Sequence, residues 1–131
     1  MKRLLLDTHV WLWYLGASAD LSRPLREAID ASLGLLWLSP ISLWEVGVLA
    51  RKKRIRLSAP FQEWVEEAMA QLPVREAPIN FEIARRVQTL DLPQGDPADH
   101  FLAATTLVYD LTLVTLDRHL VEAPWLSTLT S

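Results

Sequence analysis

The chain contains no cysteine. That excludes disulfides and thiolate metal sites and suits a reducing compartment. It also lacks a surplus of basic charge: 13 lysines and arginines face 16 aspartates and glutamates, for a formal net charge of −3. No global positive field announces nucleic acid, although a local basic patch would still suit one. No uninterrupted apolar run reaches the ~18 residues of a membrane-crossing helix. The opening residues imitate a secretory leader, with "MKR", an apolar stretch and then "GASA". Asp7, Thr8 and His9 break that stretch after only three leucines, which argues against a leader. Internal repeats, low-complexity tracts and long linkers are absent too. What remains is 131 residues, 50% of them hydrophobic, the profile of one domain spanning 1–131 with a core that needs no staples.

Apolar strands alternate with helices along the chain. Residues 3–6 read as a buried strand, and "HVWLWYLG" as a short helix ending near Gly16. "SRPLREAIDAS" starts a helix, with Ser22 as its cap and Pro24 in the first turn. "LLWLS" is a second buried strand. Helices are expected over 41–53, 61–71 and 80–91, with a short strand at 74–76 between Pro73 and Pro78. Asp96 is a natural cap with Pro97 behind it, opening a helix over 97–109. "LTLVTLD" is the next strand and "WLSTLT" a last one. This alternation predicts an α/β fold whose parallel sheet is covered on both faces.

Four acids stand where an apolar pattern does not invite them. Asp7 and Asp117 each end a strand, at the carboxyl edge where such sheets build their sites. Glu45 falls within the stripe Ile41, Trp44, Val48 and Leu49. Asp99 opens the face continued by Leu102, Ala103, Thr106 and Leu107. Singly, each has a plain explanation. Asp7 and Asp117 would cap the helices that follow them, and Asp99 would favour the first-turn dipole. Glu45 fits worst, because a lone carboxylate on an apolar face is costly. Asp96 is explained by capping, with a further role at the site as the alternative.

Together the acids imply a shared region. Carboxylates that close cannot all stay ionised unaided. An all-oxygen cluster selects a hard cation such as Mg2+ or Mn2+, which suits phosphoryl chemistry. Asp7, Asp99 and Asp117 are the expected ligands, with Glu45 and Asp96 as candidates to complete the set. Thr8, Ser42 and Thr115 lie beside these acids and could orient carboxylates or waters.

The segments "LLLDTHVWLW", "ISLWEV" and "GDPADHFLAATTLVYDLTLVTLDRHL", in that order, resemble the PIN-domain ribonucleases. More narrowly, they resemble the toxin half of bacterial VapBC toxin–antitoxin pairs, over nearly the whole chain. The resemblance implies a three-layer α/β/α sandwich with a mainly parallel sheet. It implies endonucleolytic cleavage of RNA, tRNA among the possible targets, that depends on Mg2+ or Mn2+. It also implies a cytoplasmic homodimer and a cognate antitoxin lying across the site. By motif position the family's acids fall on Asp7, Glu45, Asp99 and Asp117, with Asp96 matching an acid often seen before the helix. His100 stands where many relatives carry arginine.

Other features bear on substrate and on competing readings. Arg51, Lys52, Lys53, Arg54 and Arg56 form a basic run that could track an RNA backbone. Its alternative is a solvated helix end. Arg85, Arg86 and Arg118 are weaker candidates. His9, His100 and His119 flank the acids and raise a mixed-ligand zinc site, without the spacing such sites use. Trp11, Trp13 and Trp44 read chiefly as core, and secondarily as an interface. An aspartyl-nucleophile phosphatase is an alternative for "LLLDTH", but His9 stands where a second acid is wanted. A non-catalytic interaction module whose acids only cap helices is another.

Overall fold

Three consecutive leucines make the first strand because both of its faces are covered. The computed structural model describes residues 2–131. Its strands are β1 (Leu4–Leu6), β2 (Leu36–Leu38), β3 (Arg75–Glu76), β4 (Thr112–Val114) and β5 (Thr128–Leu129), all parallel, in the order β3-β2-β1-β4-β5. Side chains alternate between faces, as strand geometry requires. Leu4, Leu6, Leu36, Leu38 and Val114 enter one core, while Leu5, Trp37 and Leu113 enter the other. Leu5 is fully buried, a placement that stabilises by about 1.5–3 kcal/mol.

Helices complete both cores. On the first side lie α1 (Thr8–Leu15), α2 (Arg23–Asp30), α3 (Pro40–Arg51) and α4 (Phe61–Gln71), contributing Trp11, Leu25, Ile29, Val46 and Ala68 among others. On the second lie α6 (Pro97–Val108) and α7 (Arg118–Val121), contributing Leu102, Ala103 and Leu120. α5 (Phe81–Val87) packs outside against α6. The result is the expected three-layer sandwich, with a sheet that is wholly rather than mainly parallel. Among the described residues no helix is long and apolar enough to cross a membrane.

Most helix starts follow their caps. Ser22, Ser39, Asn80 and Asp96 accept from backbone N–H groups of Leu25, Ile41, Ile83 and Ala98 at 3.3, 3.1, 2.9 and 3.0 Å. The helix that Asp117 caps is α7, only four residues long. Two expectations need correction. The helix expected over 80–91 ends at Val87, because the N–H groups of Gln88 and Thr89 turn back to the carbonyls of Arg85 and Arg86. Leu90 and Leu92, which prolong the apolar pattern, instead pack the loop onto the second core. On α3 the buried positions are Ser42 and Val46, one turn apart, and Trp44 is 57% exposed rather than core. Glu45 thus borders the buried face but lies next to its small hydroxyl residue, not within a greasy stripe.

The chain order places a switch point between β1 and β4. From β1 the sheet grows one way through β2 and β3, then restarts on the other side with β4. Ligands in such sheets bind in the crevice beyond the strand carboxyl ends at this point.

Candidate active site

Asp7 and Asp117 lie on the two sides of that switch point. The Asp7 backbone N–H donates to the Val114 carbonyl at 3.0 Å, which ties the end of β1 to the end of β4. The buried Thr115 hydroxyl then joins the two acids. It donates to Asp7 Oδ2 at 2.6 Å and accepts the Asp117 backbone N–H at 3.0 Å. Asp7 Oδ1 also accepts the His9 N–H at 3.3 Å. Asp117 Oδ1 accepts from the N–H groups of His119 and Leu120, at 2.9 and 3.3 Å. The capping expected of both residues is therefore real. It engages one carboxylate oxygen of Asp117, and Thr115 engages the second of Asp7.

The helical acids approach from the two faces. Asp99, in the first turn of α6, makes side-chain contact with Asp117 and feels the charges of Asp7 and Asp96. Glu45, on α3, makes side-chain contact with Thr8 and Asp96 and feels the charge of Asp7. Thr8 is fully buried and donates to Ser42 Oγ at 2.9 Å, which sets the hydroxyl beside Glu45. All four expected acids thus share one electrostatic neighbourhood, and Asp96, which caps α6, adds its charge to it. The hydroxyls of Thr8, Ser42 and Thr115 stand beside them.

This crowding has a measurable consequence. Burial, and then the neighbouring charges of Asp117, Asp7 and Asp96, push the Asp99 carboxyl up to about 8. Burial, and then the Asp96 contact and the charges of Asp96 and Asp7, push Glu45 up to about 7, against the pull of the Thr8 hydroxyl. Burial also raises Asp7, opposed chiefly by the Thr115 hydrogen bond. Near neutral pH, Asp99 and Glu45 therefore hold protons for part of the time.

The donor set fits a hard divalent cation: it is all oxygen, and its members repel one another enough to retain protons. Among the described residues no three Asp, Glu or His side chains already converge as a ligand cage.

Other expected residues lie elsewhere. Arg51 ends α3, and Lys53 turns the chain with a φ of 58°. Arg51, Lys53, Arg54 and Arg56 line one open cavity together with Ala50, Ile55, Leu57 and Phe61. None of the five basic residues lines the cavity that opens on Asp99 and Asp117. That cavity is walled instead by the 92–96 loop, His100 and His119. Sequence reasoning does not find this feature as a unit, because its walls come from segments some 20 residues apart. The closely spaced pairs Asp99–His100 and Asp117–His119 are the trace of it in the sequence. His9 lies outside it, its ring 5.9 Å from that of Trp13.

Comparison with known proteins agrees with this geometry. The family model for the PIN domain matches residues 4–126. Ribonuclease VapC22 of Mycobacterium tuberculosis is 33% identical over 121 residues, covering 92% of this chain and 91% of that protein. Among solved structures, a DNA-bound VapBC from Salmonella typhimurium superposes with a TM-score of 0.69 at 20% identity, covering 98% of each chain. VapBC2 from Rickettsia felis, bound to a fragment of its promoter DNA, gives 0.68 at 14% identity and 96% coverage of each. These two likenesses speak for the fold.

Proposed function

The chain belongs to the PIN-domain family, on its VapC-like branch, and from that membership and the acidic site together we propose a metal-dependent endoribonuclease. In this reading residues 1–131 form one catalytic domain, acting in the cytoplasm as the toxin of a type II toxin–antitoxin pair. Ribonuclease VapC22 carries that activity in its name, and the solved VapBC relatives are complexes. The single observation that carries the reading is the electrostatic coupling of Asp7, Glu45, Asp96, Asp99 and Asp117 at the switch point, which raises the carboxyls of Asp7, Glu45 and Asp99.

Asp7, Asp99 and Asp117 would hold Mg2+ or Mn2+, with Glu45 and Asp96 completing the set. Such an ion supplies a water of lowered pKa and neutralises charge at the phosphate. The chain's own work is positioning. Thr115 fixes the relative orientation of Asp7 and Asp117 across β1 and β4. Thr8 and Ser42 orient Glu45, whose carboxylate orients the attacking water and accepts its proton. The water oxygen would bond to phosphorus as one bridging P–O bond breaks, the leaving oxygen taking a proton from solvent.

The competing readings explain less. An aspartyl nucleophile should be accessible, whereas Asp7 is 9% exposed and hydrogen-bonded through both oxygens. A module whose acids only cap helices leaves the contacts of Glu45 and Asp99 without a purpose. An antitoxin and a second copy of the chain are the partners proposed, and exposed Trp44 and Phe81 give apolar surface for such contacts.

Purified protein incubated with RNA and Mg2+ or Mn2+ tests the proposal. Cleavage should need the metal and fall by at least about 100-fold in Asp7→Asn, with folding intact. Undiminished, metal-independent cleavage by that variant would refute the mechanism.

A further inference from the structure

The cavity beside the acids has an unusual combination of walls. It measures about 230 Å3. At the ~30 Å3 that each water occupies in the liquid, this is room for about eight waters, comparable to one heteroaromatic ring system. Asp99 and Asp117 form one side and are shared with the acidic cluster. Leu92 and Leu120 supply apolar wall, and the imidazoles of His100 and His119 supply flat, polarisable faces. Gln94 adds one amide, with both donor and acceptor capacity.

We propose that this cavity is a nucleobase pocket, receiving the base of the RNA next to the scissile phosphate. The proposal rests on the ribonuclease reading and deepens it. Charge chooses the occupant. A free phosphate would meet Asp96, Asp99 and Asp117 along the same wall and be repelled. A base is neutral and planar, and it presents hydrogen-bonding edges to Gln94. Single-stranded RNA is read in this manner, by stacking on aromatic faces and bonding of exposed base edges.

The His100 ring and the His119 backbone are each tied to the acidic wall. His100 Nδ1–H donates to the Asp96 backbone carbonyl at 3.4 Å. The His119 backbone N–H donates to Asp117 Oδ1 at 2.9 Å, so its ring rides on the turn that carries the acid. A base between them would be registered against the reacting phosphate, because the pocket and the cluster share Asp99 and Asp117. Base identity would thus govern where the chain cuts, while the basic run at 51–56, remote from this pocket, would act on the backbone without reading sequence.

The three histidines make a direct test. Adenosine, inosine, cytidine and uridine are each titrated into the metal-free protein while its imidazole proton resonances are followed by NMR. At least one nucleoside should move His100 and His119 and leave His9 unmoved. In parallel, cleavage ends are sequenced from a random RNA pool cut by wild type, Gln94→Ala and His119→Ala, with melting curves to establish folding. Wild type should show a base bias at one position beside the cut. Each variant should flatten it, cutting the preferred base about tenfold less often relative to the other bases. No selective movement of His100 and His119, or a bias unchanged in folded variants, would overturn the pocket. A wild type that cuts no RNA yet takes up a nucleoside between His100 and His119 would support the pocket and refute the ribonuclease reading instead.

Discussion

Glu45 and Asp99 are half-buried acids whose nearest charged neighbours are acids. Both hold their protons more tightly folded than unfolded, from ordinary values of 4.5 and 3.8 up to about 7 and about 8. The stability this contributes is fully present below the unfolded values and is lost as pH rises through the folded ones. The melting temperature of metal-free protein should therefore fall between about pH 5 and 8.5, and Mg2+ or Mn2+ should restore it at the upper end. Thermal melts across that range check this, and a flat metal-free profile would count against it. Thr115 is the residue on which the site's geometry turns. Thr115→Val keeps the shape but strips a hydrogen bond from buried Asp7 and an acceptor from the Asp117 N–H. Urea unfolding should show a loss of about 1–3 kcal/mol, accompanied by reduced cleavage.

At the scale of elements, much of the arrangement is legible in the sequence because each local signal has a single dominant cause. "LLL" and "TLV" are apolar on both faces, so they have to be interior strands, and the acids after them have to emerge at an edge. Caps at Ser22, Asp96 and Asp117 likewise act where they are expected. Signals fail where tertiary packing chooses between equivalent options. Trp44 suits a core by size, yet α3 turns it to solvent because Ser42 and Val46 face inward, Ser42 onto Thr8 of α1 and Val46 into the first core. Leu90 and Leu92 continue a helical pattern but serve a loop. The cavity beside the acids lies beyond reach of any local pattern, since the 92–96 loop and α7 meet only in three dimensions. Caps away from the site offer a contrast to the acids. Asn80→Ala removes the bond from the Ile83 N–H that starts α5. It should cost about 1 kcal/mol in chemical denaturation and leave cleavage unchanged.

Over the whole molecule, strand order decides where chemistry can occur. The sequence β3-β2-β1-β4-β5 opens one crevice, and five acids from four separate stretches of chain couple electrostatically around it. With a net charge of −3, RNA recruitment in the proposed reading would fall to the local basic run. Arg54→Glu with Arg56→Glu should weaken RNA binding and flatten its salt dependence, by about 0.7 in log–log slope for each phosphate no longer neutralised, in filter-binding assays at several salt concentrations. The acidic cluster itself is tested most directly by calorimetric titration of Mn2+ into the RNA-free protein at pH 7, in two buffers of different ionisation enthalpy. Saturable binding is expected, releasing about one proton per ion, drawn from Asp99 and Glu45, and lost in Asp7→Asn. Mn2+ binding with no proton release, or binding undiminished in Asp7→Asn, would contradict it.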